Sequence, residues 1–263
     1  MDLGLRGRNA LVGGASAGLG RACAERLAAE GCRLALWSRG GDALELTADE
    51  IRHNYSTQVT TIGGDAADPA TAARVAGEAL RALGQIDILV LNAGGPPPTE
   101  ATRTDPAEWR RSFQLLAVTP IELTTLLLPG MRERKWGRIV SILSSGIRAP
   151  IPELVYSSAC RSALAAFLKT ISLEVMPDGV TVNGVIPGRL ATARVASLDN
   201  TRAERSGRRP EEVRAELERA IPAGRYGEPD ELGAYVAWLC SDVARYQTGT
   251  FVPIDGGAFR AIP

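Results

Sequence analysis

Gly13-Gly14-Ala15-Ser16-Ala17-Gly18-Leu19-Gly20 decides the fold. It comes directly after the short apolar run Ala10 to Val12 and opens the helical pattern Leu19 to Ala29. Glycines at this spacing let the chain turn tightly and bring its backbone close to a ligand. The helix behind them points its free N–H groups and positive dipole end at an anion, as a dinucleotide pyrophosphate requires. A glycine-rich turn alone marks any loop. Between a first strand and a first helix it gains meaning when the rest of the chain repeats the same strand-helix alternation.

The rest of the chain does alternate in this way. Further strand-like runs are Leu34 to Trp37, Val59 to Ile62, Ile86 to Leu91, Ile139 to Leu143, Val180 to Ile186 and Thr250 to Ile254. Most are too apolar for one wet face, so they read as parallel strands buried on both sides. Helical patterns span Ala43 to Arg52, Pro69 to Leu83, Pro106 to Arg134, Val155 to Met176 and Pro229 to Cys240, two of them entered by Asp-Pro. The predicted fold is α/β: a single Rossmann-type doubly wound parallel sheet of about seven strands flanked by helices. No linker divides residues 1–263, so one domain is expected. Ala193 to Arg209 reads as a long polar loop, and residues 189–223 as a segment covering the substrate.

The second strand ends in Trp37-Ser38-Arg39. An acid there would hydrogen-bond a ribose 2′-OH, whereas Arg39 suits a 2′-phosphate. NADP(H) is therefore expected over NAD(H). Lys plus Arg is 30 and Asp plus Glu is 30, which removes the basic excess of a nucleic-acid binder. The cysteines, Cys23, Cys32, Cys160 and Cys240, are scattered, and His53 is the only histidine. No metal site, disulfide framework or Ser-His-Asp triad is expected. No run reaches 18 apolar residues, so neither a signal segment nor a membrane span is expected, and the protein reads as cytoplasmic.

These motifs resemble the short-chain dehydrogenase/reductase family along nearly the whole chain, and within it the branch of β-ketoacyl carrier-protein reductases. Gly13 to Gly20 matches the family's TGxxxGxG loop, with Gly13 for threonine. The resemblance implies cofactor contacts from Gly14, Ser16, Gly18, Leu19 and Gly20. It implies further contacts from Asp65, from Asn92-Ala93-Gly94, from the turn Pro187-Gly188 and from Thr192. It implies catalysis by Ser144, which stabilises the carbonyl oxygen, and Tyr156, which supplies its proton. It also implies a small-molecule or acyl-thioester carbonyl substrate and a homotetramer, to which apolar residues on the two long helices (Leu123, Leu126, Leu127, Leu164, Phe167, Leu168) would contribute.

The pattern breaks around the tyrosine. In Tyr156-Ser157-Ser158-Ala159-Cys160 the family's lysine position holds cysteine, and its asparagine position holds Leu116. The Ser144-to-Tyr156 interval is about one residue short. Arg161, five residues past Tyr156, falls about 140° around the helix and does not simply replace the lysine. With the Gly94-Gly95-Pro96-Pro97 loop, the chain resembles a subgroup with an incomplete tetrad. Three functions stay open on this reading: a carbonyl reductase, a cofactor-binding protein without redox turnover, and a non-redox enzyme on the same fold.

Overall fold

A computed structural model describes residues 1–260. Seven parallel strands form one sheet in the order β3-β2-β1-β4-β5-β6-β7. They are β1 (Asn9–Gly13), β2 (Arg33–Ser38), β3 (Val59–Gly63), β4 (Ile88–Leu91), β5 (Gly137–Ile142), β6 (Val180–Pro187) and β7 (Phe251–Ile254). The register reflects side-chain alternation. Ala10, Val12, Leu34, Leu36, Val140 and Ile142 enter one core with residues of α1 (Gly18–Ala29), α2 (Asp42–Tyr55) and α9 (Pro229–Leu239). Leu11, Ala35, Leu89, Leu91, Ile139 and Val182 face the other way. There they meet α3 (Thr71–Leu83), α5 (Thr119–Glu133) and α6 (Val155–Val175). A sheet apolar on both faces needs helices on both, which is why the strands carry so few polar residues.

The order reverses direction between β1 and β4, and the carboxyl ends of these two strands open the crevice where such sheets take ligands. Helix entry obeys local chemistry. The Asp105 carboxylate accepts the N–H of Ala107 at the start of α4 (Pro106–Phe113), with Pro106 at its first position. The stretch 106–133 is one continuous helix, long and apolar enough by length and composition to cross a membrane. It is instead fitted to the sheet through Leu123, Leu127 and Met131. A π-helical turn, Gln114–Val118, separates α4 from α5 and carries the buried Leu116.

The polar stretch from Ala193 is not a loop. It forms α7 (Ala193–Ser206) and α8 (Pro210–Arg219). Only Asp199, Ala203 and Val213 are buried along the two, so no continuous apolar stripe revealed them. Thr192 caps α7 by accepting the N–H of Val195, and Pro210 opens α8. The basic run 201–209 is a solvated face, with Arg202 and Arg208 on Glu216, Arg205 on Glu153 and Arg209 on Glu212.

Three cysteines share the core beneath α1 and α9: Cys23, Cys32 and Cys240. Burial pushes the thiols of Cys23 and Cys32 up to about 12, and that of Cys240 well above its usual value. Below the unfolded-state value near 9, both states are protonated and stability is insensitive to these groups. Between about pH 9 and 12 the unfolded chain loses these protons first, so stability falls as pH rises. The Cys23 and Cys32 thiols each contribute a loss on the order of 1 kcal/mol per pH unit across that window, and Cys240 acts in the same direction. The urea midpoint should therefore drop steeply from pH 9 to 11, and a Cys23→Ala, Cys32→Ala, Cys240→Ala variant should lose much of that slope. An equal slope in the variant would refute the assignment.

Candidate functional site

The glycine loop lies at the carboxyl end of β1. Gly14 and Gly18 have φ of 59° and 57°, the left-handed region that glycine adopts without strain. A Cβ on Gly14 would fall 2.6 Å from Asn92 Nδ2, the nitrogen that donates to the carbonyl of Gly13. That contact locks Asn92, at the end of β4, onto the glycine loop. A Cβ on Gly18 would touch Thr192 Cγ2 at 3.5 Å, so the loop after β6 closes over the same place. The structure thus joins Gly14, Gly18, Asn92 and Thr192, which lie far apart in sequence. Gly188 is fixed by packing, because a Cβ there would sit 2.6 Å from that of Asp255. Gly13 replaces the family threonine for a spatial reason. Any Cβ would lie 2.7 Å from Trp37 Nε1 and from the Asn92 carbonyl oxygen.

These surroundings fit a dinucleotide. The first turn of α1 holds no acid, and its N-cap, Ala17, offers no side-chain acceptor, so its leading N–H groups remain for an anion. Ser16 and Leu19 flank that turn, both partly exposed. Arg39, past the end of β2, is exposed and has no ion pair among the described residues. Asp65, past β3, turns one carboxylate oxygen to the N–H of Ala67 and the other to Arg111 at 3.4 Å.

The end of the crevice expected to hold Ser144 and Tyr156 together is arranged differently. Ser144 lies just beyond β5, and its Oγ accepts the N–H of Gly146 at 3.2 Å, which leaves its own proton free to donate. Tyr156 does not join it. The tyrosine is 2 % exposed, edge-on to Trp109 with ring centroids 4.7 Å apart. Its hydroxyl accepts the N–H of Asp105 at 2.7 Å and faces the carbonyl of the same residue at 3.4 Å. It serves as a tie between α6 and the start of α4, and it makes no hydrogen bond to Ser144.

The residue that reaches the strand ends is Arg161. Its Nη1 donates to the carbonyl of Ile142 at 2.7 Å and its Nη2 to that of Ala93 at 3.2 Å. Its Nε donates to Ser157 Oγ at 3.3 Å. The residue is 8 % exposed, and burial brings its guanidinium down to about 10. Ser157 and Arg161 are four apart and share one helix face. Cys160 is fully buried, and burial raises its thiol to about 11, which makes it an inert core residue. The short Ser144-to-Tyr156 interval carried the signal: moving one residue along puts Ser157 and Arg161 at the spacing of the tyrosine and lysine.

α7 is fastened over this cleft at three points. Arg194 Nη2 donates to the carbonyl of Pro96 at 2.8 Å, and Arg205 pairs with Glu153 at 2.6 Å. The buried Asp199 takes Arg189 at 2.5 Å and the hydroxyl of Tyr226 at 2.8 Å.

A doubly wound parallel sheet with a glycine loop at its switch point defines a dinucleotide-binding class of protein. Comparison with known proteins places the chain within that class. A family model described as enoyl-(acyl carrier protein) reductase matches residues 14–258. The 3-oxoacyl-[acyl-carrier-protein] reductase FabG of Aquifex aeolicus is 30% identical over 98% of this chain and 100% of its own. The D-beta-hydroxybutyrate dehydrogenase of Cupriavidus necator is 32% identical over 96% of this chain and 98% of its own. L-sorbose reductase from Gluconobacter frateurii, solved with NADPH and L-sorbose, superposes with a TM-score of 0.94 at 28% identity, with both chains fully covered. The protein belongs to the short-chain dehydrogenase/reductase family.

Proposed function

We propose that this protein is an NADP(H)-dependent oxidoreductase that reduces the carbonyl of a small molecule or acyl thioester to an alcohol. The observation that carries the reading is the cradle at the end of β1, with its acid-free α1 N-terminus and an unpaired Arg39 past β2. Its fit to NADP(H) is supported by relatives described as NADPH-dependent or solved with NADPH. The bound nicotinamide supplies or accepts hydride. The chain's part is to hold the oxygen. Ser144 donates its free O–H to the developing negative charge. Ser157, which accepts from Arg161, likewise keeps its O–H to donate, and the guanidinium adds positive potential. The proton reaches the oxygen from solvent through Ser157, because Tyr156 is engaged with Asp105.

That engagement favours a second reading, a cofactor-binding protein with little redox turnover. A cofactor-consumption assay over a carbonyl panel, paired with a binding titration, separates the two. NADPH binding without turnover on any carbonyl selects the second.

NADPH should bind at least tenfold more tightly than NADH at fixed salt, through a charge-assisted pair between Arg39 and the 2′-phosphate. Arg39→Asp should reverse the order, and equal constants for the two cofactors in the unaltered protein would refute the assignment. In the same reading the protein forms a homotetramer through α5 and α6. Leu123, Leu127, Leu164 and Leu168 are buried within the subunit's own core, and Leu126 and Leu173 remain exposed for a partner.

A further inference from the structure

Two arginines without an acidic partner reach the 93–96 loop, Arg161 from below through the Ala93 carbonyl and Arg194 from α7 above through the Pro96 carbonyl. Arg161 spends three of its five N–H donors on neutral acceptors, the carbonyls of Ile142 and Ala93 and the hydroxyl of Ser157. Arg194 comes from α7 onto the same loop. Its Nη2 bonds the carbonyl of Pro96 and passes 3.3 Å from where a Cβ of Gly95 would stand. Glycine at 95 therefore leaves room for this guanidinium. The two arginines are close enough that the charge of Arg194 depresses the titration of Arg161.

The acids of the cleft walls are committed elsewhere. Glu100 pairs with Arg103, Glu153 with Arg205 and Asp199 with Arg189, while the Asp105 carboxylate caps α4. A buried guanidinium held only by neutral groups, with a second cation beside it, is costly unless an anion joins them. Arg161 keeps two N–H donors and Arg194 keeps donors beyond its bond to Pro96, and guanidinium donors are suited to a carboxylate.

We infer that the substrate carries a carboxylate, and that Arg161 and Arg194 together receive it, so that the carbonyl reduced belongs to an oxo acid. This rests on the cleft being the substrate cleft of the reductase proposed above. The cofactor's own phosphates are the other source of anionic oxygen here, and the titrations below separate the two sources.

The NADPH-loaded protein is titrated calorimetrically at low salt with acetoacetate and with its neutral counterpart acetoacetamide, and the pair 2-oxobutyrate and 2-butanone is run beside them. The acids should bind more tightly than the neutral ketones by on the order of tenfold or more. Arg161→Gln should remove that preference. Arg194→Gln, at an exposed position whose replacement leaves the core untouched, should reduce it severalfold with the NADPH constant unchanged. Arg161→Lys, which keeps the charge, should restore part of it. Acetoacetamide binding as tightly as acetoacetate overturns the inference. So does an Arg194→Gln variant that loses NADPH affinity and keeps the acid preference, because the arginines would then serve the cofactor. Failure of the unaltered protein to bind NADPH defeats the reductase reading instead, and the acid titration of the cofactor-free protein still decides the carboxylate site.

Discussion

Cys160→Lys is expected to destabilise the protein strongly instead of restoring the family's usual site. The family pattern makes this substitution look restorative, since it places a lysine four residues after Tyr156. The structure puts position 160 on the wrong face. Cys160 is fully buried, on the same side of α6 as Tyr156, Leu164 and Leu168, all packed inward. An ammonium there would lack water and any acid, with Arg161 already next to it. An uncompensated buried charge costs on the order of 3–5 kcal/mol. Adding Leu116→Asn supplies one polar neighbour in the π turn and does not bring the lysine to the cleft. The urea midpoint should fall sharply in the single variant and remain low in the double. A stable double variant with faster carbonyl reduction would show that Cys160 does face the cofactor.

Gly20→Val is expected to abolish cofactor binding and to cost a large share of the stability. A Cβ at position 20 would stand 2.6 Å from the carbonyl oxygen of Gly13 and closer still to that of Gly14. Both obstacles are backbone, so no side chain can swing aside. Valine adds two methyl groups to that overlap and forces α1 away from β1. Overpacking of this severity costs about 3 kcal/mol or more. It also moves the α1 N-terminus from the anion site, so NADPH binding should become unmeasurable even in molecules that remain folded. Thermal unfolding and an NADPH titration read the two effects, and a variant with normal melting and normal affinity would show that the loop tolerates a side chain. Gly84→Val is the contrast. A Cβ there meets nothing within 4 Å, so only its backbone conformation, φ 79°, is penalised.

Much of the fold was legible because it depends on local pattern. Each of the seven apolar runs became a strand. The ends moved by one or two residues, as at β4, which begins at Ile88 where the run begins at Ile86. The glycine loop, Asn92 and Thr192 were readable as motif members, yet their meeting is tertiary, made by Gly14 against Asn92 and Gly18 against Thr192. α7 was missed because its burial rests on an aspartate. Asp199 enters the interior only because Arg189 and Tyr226 are there to receive it, and no local periodicity announces such a trio.

The sequence by itself determined the doubly wound sheet, since strands apolar throughout require helices on both sides. It also pointed to the place of the candidate cofactor cradle, since glycines between a first strand and first helix leave backbone N–H groups bare. Tertiary structure alone decided which face of α6 looks into the cleft. A helix offers Tyr156 and Cys160 or Ser157 and Arg161, about 100° apart, and composition does not choose between them. The choice came from packing. The Tyr156 ring fits beside Trp109, and its hydroxyl finds the backbone of Asp105. Leu164 and Leu168 then continue the same side into the core. That rotation turns Ser157 and Arg161 toward the strand ends, where the free carbonyls of Ala93 and Ile142 hold the guanidinium in place.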